Sequence, residues 1–132
     1  MNTTTSVHAL IKSALTAAGV NAVYGPATNL PTIGGVVAQS AVLWPSSRLN
    51  AYTRACGRSS GGTDRVVITC VGATTRDALA VADKVEAAIG GLVLSAKGSP
   101  LRQVAATQPV PEPNADPVRV SLAVEYTTIT KD

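Results

Sequence analysis

The spacing of apolar residues changes within residues 65–91, and the change separates two elements. Residues 66–71 are apolar or β-branched at even and odd positions alike, which is typical of a strand inside a sheet. Thr74 then offers an N-cap, and Gly90 with Gly91 offers a helix stop. Between them the apolar positions follow one helical face: Ala78, Val81, Ala82, Val85, Ala88 and Ile89. The pattern predicts a strand followed by a helix that packs its apolar face against the sheet.

A second amphipathic helix is predicted over residues 6–18, with Thr5 or Ser6 as its cap and Gly19 as its stop. Further strands are predicted at residues 21–24, 36–44, 50–56 and 101–107, and strict alternation over residues 118–126 predicts a long final strand.

Two segments have the composition of loops. Residues 26–35 lack a clear period, and residues 109–117 contain four prolines, which oppose a β-ladder. The fold class that follows is α+β: a single domain over residues 1–132, with a mostly antiparallel mixed sheet and two amphipathic helices packed on one face.

Basic residues concentrate in one polar segment, residues 46–64. Together with the arginine that follows, this segment has four arginines against a single aspartate, an excess equal to the net charge of +3 of the whole chain. We expect a basic hairpin in which residues 50–56 pair with residues 65–71 and the glycine-rich residues 59–62 form a mobile tip. The candidate contacts to a partner or neighbouring subunit are Arg48, Tyr52, Arg54, Arg58 and Arg65. The alternative is a solvated loop without a partner.

Composition narrows the class of protein. A net charge of +3 is weak beside the dense basic surfaces of most nucleic-acid binders, and neither demands nor excludes DNA. The core has four aromatic residues and no Phe, so small apolar side chains must fill it, and we expect a modestly stable subunit that gains from assembly. The sequence shows neither a signal peptide nor an apolar run long enough to span a bilayer, which favours a cytosolic chain.

Residues capable of catalysis are sparse. His8 is the only histidine, and we expect it on the surface of the first helix. Residues 57–61 match Gly-x-Ser-x-Gly, but they lie in a polar hairpin rather than between a buried strand and a helix. Asp83 and Glu86 are expected on a solvated helix face. The sequence therefore predicts no catalytic site, no metal site and no cofactor, and the protein is not expected to be an enzyme.

The two cysteines leave two alternatives open. Cys56 and Cys70 are too few for a disulfide scaffold and lack metal-ligand partners. Both are expected to be free thiols, unless a hairpin turn at residues 60–64 places them opposite each other in a cross-strand disulfide.

Several of these patterns together resemble a known family. Residues 66–70 read V-x-I-x-C, Asp77 and Ala78 open a helix that continues as A-D-x-V-x-A-A-I over residues 82–89, and residues 119–128 form an alternating closing strand. This order resembles the tail terminator, or tail completion, proteins of long-tailed bacteriophages, over about two thirds of the chain. Residues 26–35 and the long proline-rich segment depart from the resemblance.

The resemblance implies a structural virion protein at the junction of tail and neck, assembled in the cytoplasm of the bacterial host. It implies a homo-hexameric ring that caps the tail tube, stops its polymerisation and provides the docking surface for the head connector. Its partners would be the tail tube protein on one face and the connector or stopper on the other, with DNA passing through the lumen without specific binding. The alternatives are another neck component, either a head–tail connector or a stopper, and a small nucleic-acid-binding module.

Overall fold

The computed structural model describes residues 4–26, 30–46, 49–53, 57–94, 98–112, 115 and 117–130. In chain order the elements are α1 (Thr4–Ala17), β1 (Asn21–Tyr24), β2 (Thr32–Ile33), β3 (Val36–Val37), β4 (Ser40–Pro45), β5 (Leu49–Thr53), β6 (Gly57–Gly72), α2 (Thr75–Ile89), β7 (Arg102–Ala106), β8 (Val110–Glu112) and β9 (Arg119–Thr130). The fold class is α+β, as the sequence predicts.

A seven-stranded sheet organises the described residues. Its main path is β1-β4-β6-β9-β7, with β5 added to β6 and β8 added to β9. Only β1 and β4 are parallel, and the other pairs are antiparallel. β2 and β3 form a separate two-stranded hairpin. The strand predicted at residues 65–72 is the second half of β6 and lies in the middle of the sheet, which explains why both of its faces are apolar.

The helices pack on one face of this sheet. Buried side chains of α1 and α2 join those of β4, β6 and β9 in one core: Val7, Ile11, Leu15, Ala41, Leu43, Val66, Ile68, Cys70, Ala78, Val81, Val85, Ile89, Leu122, Val124 and Tyr126 belong to it. A smaller cluster of Val37, Val42 and Val71 lies on the opposite face. Neither helix in the described part of the chain is long and apolar enough to cross a membrane.

The strand–helix junction forms as predicted. The Thr74 hydroxyl accepts a hydrogen bond from the backbone N–H of Asp77 at 3.2 Å, which satisfies one of the free donors at the start of α2. The start of α1 differs from the prediction, because this helix begins at Thr4 and includes both Thr5 and Ser6.

The pairing predicted for the basic hairpin is wrong. Residues 65–71 cannot accept β5 as a neighbour, because β4 pairs with one edge of this stretch and β9 with the other. β5 instead pairs with residues 57–63, and the predicted tip at residues 59–62 is strand. Because both edges of residues 65–71 are occupied, β5 pairs with an earlier part of β6, several residues before the predicted position.

Two predicted loops also contain strands. Thr32 and Ile33 form β2, and the strand predicted over residues 36–44 is divided between β3 and β4. In the proline-rich segment, β8 pairs with the start of β9. β8 lies outside the main path, and Pro111 is tolerated there because an edge strand needs no donor on its outer side.

Candidate interaction surfaces

A two-stranded arm extends from the main sheet. We define the β5–β6 arm as residues 49–53 and 57–61. β9 pairs with β6 from Gly62 onwards and β4 pairs from Val66, so residues 57–61 pair with β5 alone among the described strands. Five residues of strand span about 16 Å. Both strands of the arm lie within the predicted basic segment, residues 46–64, and Arg58 is the arginine that they contain.

The structure brings together some of the predicted contact residues and separates others. Tyr52 and Arg58 are cross-strand partners in the arm. Arg65 lies further along β6, about 23 Å from Arg58 in strand length. Arg48 and Arg54 lie outside the described residues, as does Cys56. Of the three described positions, Tyr52 and Arg58 therefore lie together in the arm, and Arg65 lies apart from them.

Arg65 has a partner within the chain. Its guanidinium lies 3.6 Å from a carboxylate oxygen of Glu125, on the neighbouring strand β9. The Arg65 side chain is mostly exposed, so this ion pair is screened by solvent and contributes little to stability. It does, however, lower the charge that Arg65 presents to a partner.

The face of the sheet opposite the helices carries Trp44 at its surface. The indole is 43 % exposed, and its Nε1 donates to the Thr69 hydroxyl at 3.2 Å. Cross-strand partners share a face of the sheet, so Val67, which pairs with Trp44, and Glu125, which pairs with Val67, lie on this same face. The face mixes aromatic, aliphatic and charged groups, a composition that suits protein contact.

A groove of about 620 Å³ opens at the end of β9. Its lining includes Ser99, Pro100, Arg102, Thr127, Thr128 and Ile129. The Thr127 hydroxyl donates to the carbonyl of Asp64 at 3.2 Å, and the Thr128 hydroxyl donates to the carbonyl of Ser99 at 2.6 Å. Thr128 is buried, whereas Thr127 is partly exposed and, because its hydroxyl proton is used inside the chain, can present its methyl group to the groove.

Two of the titratable residues that are buried in the described fold are His8 and Cys70. His8 is 3 % exposed, so its predicted surface position is wrong: the residue lies on the buried side of α1, next to Val7. Cys70 is a free, buried thiol, and burial raises its pKa to about 12. Among the described residues, no group of three His, Cys, Asp or Glu side chains could hold a metal ion.

A hydrogen bond between Tyr126 and Glu86 is not predicted from the sequence. Glu86 is exposed on α2, as expected, and it also accepts a hydrogen bond from the hydroxyl of Tyr126 in β9. Asp64 is buried, at the end of the row of core positions along β6. The alternation of β9 places Tyr126 on the core face. A buried tyrosine usually has a hydrogen-bond partner for its hydroxyl, and this is the sequence signal that could have predicted the contact.

The fold is similar to those of solved structures. One is a chain of a structure described as the virion of a native gene transfer agent particle; the match has 21% identity and a TM-score of 0.57, and covers 89% of this chain and 84% of that chain. Another solved structure matches with 15% identity and a TM-score of 0.53, covering 92% of this chain and 87% of its own. At these identities the similarity shows the fold. No protein-family model matches the chain, and a search of curated proteins gives no significant match.

Proposed function

We propose that this chain is a structural virion protein, a tail terminator that forms a ring on the finished tail tube. The observation that carries the proposal is the similarity of almost the whole fold to a chain of a gene transfer agent virion, a phage-like particle. The strand–turn–helix of residues 65–91, which carries the densest part of the resemblance to tail terminators, forms the centre of the described fold.

The mechanism that fits this fold is steric. A rigid sheet holds contact surfaces in place, and subunits joined edge to edge in a closed ring leave no free end for growth. One face of the ring would copy the interface of a tube subunit and bind the last tube ring. The other face would withhold that interface, so polymerisation stops, and would dock the head connector. DNA would pass through the lumen without specific contacts.

The β5–β6 arm is the proposed contact to the tube or to a neighbouring subunit. It projects from the sheet, and the pair Tyr52 and Arg58 belongs to the residue types that dominate protein interfaces. Such a role needs no active site, metal or cofactor, and we propose a non-enzymatic protein located at the junction of tail and neck.

Loss of the gene from a producing strain tests this function. We expect tails that are overlong or not joined to heads in electron micrographs, and recovery of normal length when the wild-type chain is supplied. Native mass measurement of the purified chain is expected to show six copies. Tails of normal length that join heads without the protein would overturn the proposal.

A matched pair of variants tests the arm. Tyr52→Ala with Arg58→Ala is expected to fail to restore tail length, whereas Arg119→Ala, a change of another arginine outside the arm, is expected to restore it. If the arm variant restores normal tails, the arm is not the contact.

The same strain distinguishes the alternative functions. Loss of a stopper would leave tail length normal and let packaged DNA leak from heads. A nucleic-acid-binding module would bind DNA with an affinity that falls steeply with salt, with a logarithmic slope of about three to four if the four arginines of the basic segment each contact a phosphate. Arg65 already forms an ion pair with Glu125, so its contact with a phosphate would be weaker and the expected slope would be lower.

A further inference from the structure

The β2–β3 hairpin presents two apolar side chains at its tip. Ile33 and Val36 are cross-strand partners and are 71 % and 51 % exposed. Gly34 and Gly35 connect them with φ values of 63° and 80°, the positive values that a type I′ turn requires at both central positions. The tip is therefore a tight turn with an apolar residue on each side.

The base of this hairpin is fixed to the body of the protein. Val37 is buried in the cluster on the sheet face opposite the helices. Gln39, which follows β3, accepts a hydrogen bond from Lys84 at 2.6 Å and donates one to Asp77 at 3.5 Å, and both of these residues belong to α2. The exposed tip thus stands on a base that is attached to the sheet and to a helix, so its exposure is a feature of the fold.

The groove at the end of β9, like the hairpin tip, exposes mostly apolar groups. Its threonine hydroxyls donate within the chain, and the Ser99 hydroxyl accepts from the backbone N–H of Ile129 at 2.9 Å. The Thr127 methyl group, the Pro100 ring and the exposed Ile129 side chain remain to contact a ligand. Arg102, which has no ion pair among the described residues, supplies a donor for the carbonyls of a glycine turn. Residues 30–39, which contain the hairpin, have no charged side chain. Insertion of the hairpin tip into the groove would therefore remove no charged group of the hairpin from water.

The two surfaces lie at opposite ends of the sheet. The hairpin leads into Ser40, which pairs with Val71, while the groove adjoins Thr63 at the other end of β6. Eight residues of strand separate these positions by about 26 Å, and the two surfaces also lie on different sides of β6. A chain cannot fill its own groove with its own hairpin, but every chain carries both halves of the contact.

We propose that the hairpin tip of one copy inserts into the β9 groove of the next copy. The contact is head-to-tail, and a head-to-tail contact closes into a ring when its rotation returns to the start. The inference rests on the proposed ring-forming function and names the residues that would join its subunits. One tip covers a small area, so the contact belongs to a closed ring in which every subunit makes it twice.

Cysteine cross-linking tests this contact directly. In a Cys56→Ser background, a chain carrying Ile33→Cys is mixed with a differently tagged chain carrying Ile129→Cys and mildly oxidised. We expect a disulfide-linked species that contains both tags. The control pair is Ile33→Cys with Val118→Cys, because Val118 is 56 % exposed and lies at the opposite end of β9. Yields equal to the control would overturn the inference.

A charge placed on the tip gives an independent measurement. Ile33→Lys is expected to weaken assembly by about tenfold or more, because the ammonium group would lose water and meet the like charge of Arg102 in the groove. Val118→Lys is the matched control and is expected to assemble like the wild type, as judged by sedimentation. If Ile33→Lys forms the same rings as the wild type, the inference fails while the ring-forming function stands. If the gene is dispensable for normal tails, it is the proposed function that fails.

Discussion

The hydroxyl of Tyr126 donates a hydrogen bond to Oε2 of Glu86 at 2.5 Å, and this bond joins the last strand to the second helix. The Tyr126 side chain is fully buried in the core between sheet and helices, while Glu86 belongs to the exposed side of α2. The ring of Tyr126 therefore fills the core, and its hydroxyl reaches a carboxylate at the surface. Burial, and then the hydrogen bond to Glu86, raise the pKa of Tyr126 well above its usual value.

Replacing Tyr126 by Phe tests the stabilising effect of this bond. The ring remains and only the hydroxyl is lost, so we expect the free energy of unfolding to fall by about 1.5–3 kcal/mol, the range for a hydrogen bond to a charged group. Urea denaturation measures the change. Tyr24→Phe serves as control, because Tyr24 is 41 % exposed and the contact of its ring with Lys12 is kept. A double-mutant cycle with Glu86→Ala, which leaves no acceptor at this position, isolates the pair, and an additive cycle would contradict the assignment.

The buried thiol of Cys70 predicts a loss of stability at alkaline pH. Folding raises its pKa from 9.0 to about 12, so below pH 9 the thiol is protonated in both states and its stabilising contribution is fully present. As the pH rises from 9 towards 12, the unfolded chain releases the proton and the folded chain retains it. The free energy of unfolding then falls by about 1.4 kcal/mol per pH unit from this group.

Cys70→Ala removes that contribution. We expect the variant to be less stable at neutral pH because of the lost side-chain volume, and to lose stability less steeply than the wild type above about pH 9. Urea midpoints measured at intervals from about pH 7 to pH 11 give the two slopes. Parallel curves for the two proteins would show that Cys70 does not titrate on unfolding.

The elements predicted from sequence are those fixed by local chemistry. The cap at Thr74, the apolar face of α2 and the alternation of β9 each depend on residues a few positions apart, and all three have their expected form. The pairing of β5 depends on which strands occupy the edges of β6, and these strands are distant in sequence. Nothing in residues 46–64 themselves shows that residues 65–71 already have two neighbours.

The candidate contact residues also depend on pairing and packing between elements that are distant in sequence. The concentration of arginines does not predict that Arg65 lies beside Glu125, since that contact depends on the register between β6 and β9. The surface position predicted for His8 is wrong because its burial depends on how α1 lies on the rest of the fold, which the helix sequence alone does not give. Ile33 falls in the segment predicted as loop, because β2 has only two residues, whereas Val36 falls at the start of the strand predicted over residues 36–44.

The N-cap of α2 gives a local test of stability. Thr74→Ala removes the acceptor for the Asp77 N–H and is expected to lower the free energy of unfolding by about 1 kcal/mol. Thr75→Ala changes the same residue type one position later, inside the helix, and is expected to change stability by less than about 0.5 kcal/mol. Thermal or urea unfolding followed by circular dichroism measures both. Equal losses for the two variants would refute the capping role.

The close contact between Gly25 and Trp44 can be followed by fluorescence, because Trp44 is the only tryptophan of the chain. A Cβ placed on Gly25 would lie 2.6 Å from Cε2 of the Trp44 indole, so the ring of a Gly25→Ala variant must move. Trp44 is 43 % exposed and can turn towards solvent, which would break its hydrogen bond to Thr69. We expect red-shifted emission and stronger quenching by acrylamide, with an unchanged far-ultraviolet spectrum.

Thr69→Val is the control for the hydrogen bond alone. It removes the acceptor of the Trp44 Nε1–H and leaves the packing of the ring on Gly25 intact, so we expect a smaller shift in emission than in Gly25→Ala. Emission that is identical in Gly25→Ala and the wild type would mean that the indole does not lie on Gly25 in solution. A shift of equal size in both variants would mean that the hydrogen bond, and not the glycine contact, holds the ring. Because Trp44 lies on the sheet face opposite the helices, the same signal also reports whether that face is covered when subunits assemble.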